Sequence, residues 1–190
     1  ANKGFSLIEL IISIAILGVV AVAALGFMVS GTRSFSSVAG NVSLQYKSQL
    51  AMNYIQEYVI DCNTGICFQN DTLYVLDSEI VKDEDDNDVT VYTMHIFKYV
   101  AGDSTIYYME SPATLQSTGE YSFTVSDPDP LSDLLADGVS SFSVSFSGTS
   151  QVTETTVSID FFVRSRTFSG TQTIALRNLP PQVTVIPLTP

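Results

Sequence analysis

From Phe5 to Val29 the chain reads FSLIELIISIAILGVVAVAALGFMV, apolar apart from a few hydroxyl and glycine positions and one carboxylate, Glu9. As an α-helix this run would measure about 37 Å at about 1.5 Å per residue, against a bilayer hydrocarbon core of about 30 Å. In lipid every backbone N–H and C=O must find its partner within the segment, which a lone strand cannot arrange. The run is therefore expected to be one membrane-spanning helix. Beyond it, apolar residues recur at helical spacing: Phe35, Val38, Val42, Tyr46 and Leu50, with an adjoining stripe of Met52, Ile55 and Val59. This predicts an amphipathic continuation that ends near Asp61, where Cys62-Asn63-Thr64-Gly65 joins poor helix formers to a glycine stop. Two shapes fit: one continuous helix, or two helices broken at Gly31 or Gly40.

From Phe68 onward the period becomes two. Thr72–Leu76, Val89–Val100, Thr105–Glu110, Tyr121–Val125, Val139–Phe146, Thr156–Arg164 and Gln172–Arg177 read as strands. Turn residues separate them, among them Gly102-Asp103, Ser126-Asp127-Pro128-Asp129-Pro130, Gly148-Thr149 and Ser169-Gly170. The cleanest alternations, Phe142/Val144/Phe146 and Val157/Ile159/Phe161/Val163, describe strands with one buried face, and the amphipathic helix needs such a sheet to cover its stripe. Leu131–Asp137 reads as one short helix between strands, and Gln182–Pro190 as an extended tail after Pro180-Pro181. The expected fold is α+β: a long N-terminal helix packed on a C-terminal antiparallel β-sheet domain.

Charge divides the chain in the same place. The formal net charge is −12, yet of 20 acidic residues only Glu9 precedes Glu57. A nearly neutral rod is followed by an acidic domain that repels phosphate backbones, so no general nucleic-acid-binding surface is expected. Enzyme motifs are missing: there is no G-x-S-x-G, no P-loop and no H-E-x-x-H. The single histidine, His95, alternates with Phe97 and Tyr99 and reads as a residue on a sheet face. Tyr107-Tyr108 reads as core or a cross-strand pair.

Glu9 is the costly residue. A carboxylate in an apolar span costs about 2.5–3.5 kcal/mol nearer the centre and requires a partner or a proton; at the first turn it also gains from the helix dipole. Ahead of it, Lys3 is the only nearby cation, and no small-residue signal-peptide cleavage site follows the run. Gly4-Phe5-Ser6-Leu7-Ile8-Glu9-Leu10 resembles the processing site of type IV prepilins and pseudopilins. The resemblance implies a prepilin peptidase cut between Gly4 and Phe5, N-methylation of Phe5, and a leader held on the cytoplasmic side. It further implies that Glu9 meets the Phe5 ammonium of a neighbouring subunit inside a filament core. Gly18 matches a glycine common in pilins, whereas Gly26 stands where many of them have a kinking proline. The division implied is 1–4 leader remnant, 5–30 membrane and filament-core helix, 31–61 amphipathic helix, and 62–190 extracytoplasmic β-rich domain.

For an exported domain the preferred reading of Cys62 and Cys67 is a disulfide stapling the helix end to the first strand, worth about 2 kcal/mol for so small a loop; free thiols are the alternative. One acidic cluster has alternating ligands, Asp83, Asp85 and Asn87, as a calcium loop would. Yet an EF-hand count puts Asp88 at the glycine position and Met94 at the glutamate position, so a solvated hairpin loop competes with calcium binding there, and no other cofactor is expected. Val139-Ser140-Ser141-Phe142 and Ile174-Ala175-Leu176-Arg177-Asn178 resemble PilW-type minor pilins and J-type pseudopilins. The resemblance as a whole implies a single-pass inner-membrane protein, later an extracellular or periplasmic filament subunit. Its partners would be membrane lipid, prepilin peptidase, the inner-membrane assembly platform and other pilin subunits. Three functions compete: a minor pilin for assembly, adhesion, motility or DNA uptake; a type II secretion pseudopilin; and an anchored binding module that does not polymerise.

Overall fold

The computed structural model describes residues 6–148, 150–163 and 165–188. One helix, α1 (Leu7–Asp61), is followed by ten strands: β1 (Gly65–Gln69), β2 (Thr72–Lys82), β3 (Asp88–Val100), β4 (Thr105–Leu115), β5 (Tyr121–Thr124), β6 (Leu134–Asp137), β7 (Val139–Ser147), β8 (Glu154–Val163), β9 (Arg166–Ala175) and β10 (Val185–Leu188). The arrangement is α+β. By compactness the chain divides into two units, Ala1–Ser43 and Leu44–Pro190, so the division falls inside α1 rather than at its end. The helix is unbroken at Gly31 and Gly40.

In the second unit the strands form two sheets. The larger runs β1-β2-β3-β4-β5-β10, and β4 shares its outer edge between β6 at its start and β5 at its end. The smaller is β7-β8-β9. The β1–β2 turn is built by Asn70 and Asp71, both with positive φ, the pair that a two-residue type I′ hairpin demands. Gly138, with φ +73°, turns β6 into β7 where a side chain would collide with Val163.

Three expectations need correction here. Leu131–Asp137 is no helix: Asp129 accepts from the backbone N–H of Leu131 and the hydroxyl of Ser132, closing a turn, and Leu134–Asp137 then pairs with β4. Gly65 does not stop the helix; it opens β1, packed on Val183. The last helix carbonyls are instead met from far along the chain, Ile60 by the N–H of Arg177 and Asp61 by the amide of Asn178, which answers the unsatisfied carbonyls of a helix end. The tail finds a place too, since β10 lies parallel to β5.

The helix stripe is the third correction. Phe35, Val38, Val42, Tyr46 and Leu50 are all exposed, and the buried positions are Leu44, Ser48, Ala51, Met52, Ile55 and Val59. At 3.6 residues per turn, Tyr46 and Leu50 stand about 200° round from Ser48 and Met52. The adjoining stripe of Met52, Ile55 and Val59 is buried as expected; the rest of the packing face is Leu44, Ser48 and Ala51, whose small residues a reading weighted by side-chain size passes over. Within the second unit these helix residues meet Leu73, Val75, Phe97, Val157, Ile159 and Phe161 in one core. A second core, with Tyr74, Leu76, Met94, Ile96 and Phe123, covers the other face of the larger sheet. Each fully buried aliphatic or aromatic side chain adds about 1.5–3 kcal/mol.

Candidate functional site

In the first unit α1 shows its apolar side chains all round. Leu7, Ile11, Leu17, Val22, Leu25 and Phe27 are each more than half exposed, and an 18-residue window of mean hydropathy 2.8 has no buried residue. The polar groups within it are satisfied by the helix itself. Ser13 donates its hydroxyl to the Glu9 carbonyl at 2.7 Å, and Thr32 to the carbonyls of Met28 and Val29 at 3.1 and 3.0 Å. Such back-bonding keeps these two hydroxyls from facing an apolar surrounding unpaired. Glu9 lies in the first helical turn, where Ser6 N–H points to its Oε2 at 3.5 Å and the Ser6 carbonyl accepts from Glu9 and Leu10. The Glu9 carboxylate thus supplies one half of a capping box, and the carbonyl bonds are the first of the helix itself. Gly4 and Phe5 lie outside the described residues.

The second unit holds a polar cluster that sequence reasoning missed. His95, only 8% exposed, has Nδ1 2.9 Å from Tyr108 Oη and Nε2 3.6 Å from Asp77. Tyr108 donates to Glu110 at 3.3 Å and stacks on Tyr58, whose ring also lies on His95 and whose hydroxyl donates to Tyr54. Burial lowers the His95 pKa, opposed by the charges of Asp77 and Glu110; burial likewise raises Asp77 and pushes Tyr54 up to about 12. His95 was placed on a sheet face, as it is, but the tyrosines that roof it come from α1 and β4. Only the spacing of Tyr54 and Tyr58, one helical turn apart, hinted at them. Roofed by the rings of Tyr58 and Tyr108, this cluster is packing.

Cys62 and Cys67 are free thiols, and the disulfide reading is corrected. Ile66 packs in the same core as Cys62, so by strand alternation its neighbour Cys67 faces the other core. Burial pushes both thiols up to about 12; the Cys62 thiol donates to the carbonyls of Gly65 and Leu76. The acidic loop is organised from within. Asp83 accepts from the backbone N–H groups of Asp85 and Asn87 and the side-chain amide of Asn87, which holds its carboxyl below the usual range. Lys82 lies between Asp86 and Asp88. Asp83, Asp85 and Asn87 thus share one turn, closed on the Asp83 carboxylate. Among the described residues, no three His, Cys, Asp or Glu side chains gather as a metal site.

Residues 1–25 match the family described as the prokaryotic N-terminal methylation motif. The chain carries the type IV prepilin signal. This motif marks substrates of prepilin peptidase, and it supports a type IV pilin or pseudopilin-like filament subunit, structural rather than enzymatic. No curated protein and no solved structure matches the chain. The motif ends within the apolar helix surface, so prepilin signal and membrane-length helix are one segment. A single apolar helix of this length suits a protein first anchored in a membrane and then placed in a surface filament.

Proposed function

We propose that the chain is a minor pilin of a type IV pilus or related filament, held in the inner membrane by α1 until processed and extracted. The observation that carries the reading is the apolar surface of α1 from Leu7 to Val29, open on every side, whose only charge is Glu9 at its first turn. A helix without a polar face has no place in water and needs lipid or other helices around it. Packing copies of this segment hides apolar surface at about 25 cal/mol per Å² relative to water. Lipid already hides that surface, so extraction gains little by itself and requires the assembly platform. Register then comes from charge: Glu9 pairs with the Phe5 ammonium that prepilin peptidase creates on a neighbouring subunit, since an unpaired ion in such a core is expensive. The working protein is thus a filament subunit whose β-rich unit is displayed outside the cytoplasm.

Glu9→Leu tests the reading. The variant should insert into the membrane and lose its leader, read as a mass difference on the intact protein, yet be absent from sheared filaments analysed by mass spectrometry. Normal incorporation would contradict the pairing. Trace abundance of the unaltered chain in the same filaments supports the minor role, and its absence from them supports a pseudopilin.

A further inference from the structure

Strand pairing leaves one part of the second unit without neighbours. β2 and β3 pair from Thr72↔Lys98 out to Lys82↔Asp88, but β1 flanks β2 only over Thr72–Leu76 and β4 flanks β3 only from Tyr92. The Asn63 side chain takes the outward backbone N–H and carbonyl of Ser78, so among the described residues 79–82 and 88–91 form a two-stranded ribbon with both edges open. Such a ribbon is marginal by itself, and open edges invite another chain. Its apolar residues form a row. Val81 stands opposite Val89, and Val91 opposite Glu79, on the face that farther in carries Val75, His95 and Phe97. The second unit's part of α1 covers that inner stretch, where Tyr58 lies on His95. The helix ends at Asp61, and Asn63 ties the chain to Asp77 and Ser78. Past this point the row is bare: Val81, Val89 and Val91 are 36%, 40% and 42% exposed, and Ile80 on the opposite face is 69% exposed.

The surroundings of the row are negative. Asp77 and Glu79 share its face, and the tip from Lys82 to Asp88 sets five carboxylates against one lysine, which Asp86 and Asp88 already engage. α1 has no basic residue in its last turn, and the Arg177 guanidinium at its end is engaged by Asp61. A second copy is a poor occupant. From Glu57 onward the chain has five basic side chains against nineteen acidic ones, and like charges brought together oppose association.

We propose that the β2–β3 ribbon is a docking arm for a different protein subunit, one presenting an apolar ridge bordered by lysine or arginine. The valine row closes on the ridge, the tip carboxylates meet its cations, and the open strand edges are covered. This does not depend on Glu9 or on filament-core packing. The test uses the full chain in the cells that make it, with a photoreactive amino acid at Val89 and, as a control, at Thr118 in the β4–β5 turn. Illumination should join the Val89 position to a different polypeptide, at a peptide carrying lysine or arginine beside apolar residues. Glu84→Lys with Asp85→Lys should cut that adduct about tenfold at unchanged chain level, and the Thr118 position should not form it. An adduct mainly with a second copy, no adduct, or a yield indifferent to the charge reversal would overturn the proposal.

Discussion

Leu17 and Val22 in the first unit and Ile55 and Val59 in the second belong to one helix and one chemical class, yet their environments are opposite. The first pair is 71% and 72% exposed, the second fully buried. What differs is the pattern around them. Ile55 and Val59 sit on a stripe backed by polar positions such as Asn53, Gln56 and Glu57, so the helix there has an inside and an outside. Leu17 and Val22 have apolar neighbours in every direction, and no single face can be turned inward. Hydrophobicity states that a side chain leaves water; periodicity states whether its own chain or another molecule receives it.

The sharpest way to break this comparison is a matched truncation. Phe161→Ala, in the core between α1 and the smaller sheet, should destabilise the second unit by about 3–5 kcal/mol, read by urea unfolding of the detergent-solubilised protein. Leu17→Ala should leave that transition within about 0.5 kcal/mol. Equal effects would mean that the two helix parts share one source of stability.

Gly170 offers a finer probe of how the second part is received. A Cβ there would run into Ser48 Oγ and approach Met52, so Gly170→Val should cost about 1–3 kcal/mol by overpacking. Adding Ser48→Ala should recover part of it, since residues in contact couple in double-mutant cycles. Full additivity would show that the helix is held by other contacts.

These two probes also mark what could be read in advance. The membrane-length run, the prepilin signal at Gly4-Phe5 and the alternation of Val157, Ile159 and Phe161 depend only on neighbours a few residues away, and the sequence displays them directly. Of the buried helix face only Met52, Ile55 and Val59 showed; Ser48 did not, because it is chosen by the close approach of Gly170, more than a hundred residues on. For the same reason the strand at Leu134–Asp137 looked helical: four residues cannot reveal that β4 has a vacant edge. The two cysteines misled through spacing, which brings residues close in sequence but cannot tell which side of a strand each will face.

A smaller effect should come from pH, and only in the second unit. Burial lowers the folded-state pKa of His95 below its ordinary 6.5, so the unfolded chain takes up this proton more readily. Stability is then full above about 6.5, declines as pH falls through that value and levels off below the folded pKa. Asp77 works in the opposite sense. Its raised pKa means that stability increases as pH falls through the folded value toward the ordinary 3.8. His95→Phe, which keeps an aromatic ring against Tyr58, should flatten the decline between pH 7 and 5 in thermal unfolding. An unchanged slope would assign the decline to other groups.

The smallest effect is expected where the second part of α1 ends. Arg177 donates to Asp61 at 2.8 Å, but both side chains are well exposed, and such pairs contribute about 0–1 kcal/mol, less in salt. The backbone N–H of Arg177 bonds to the Ile60 carbonyl and the Asn178 amide to that of Asp61; the first of these survives any change of side chain at 177. Arg177→Met should therefore shift the unfolding midpoint little, and less again at high ionic strength, whereas Asn178→Ala strands a helix-end carbonyl and should cost about 0.5–1.5 kcal/mol. If the arginine variant proved the more damaging, charge rather than hydrogen bonding would be what closes this helix end, and the absence of basic residues from its last turn would need a different explanation.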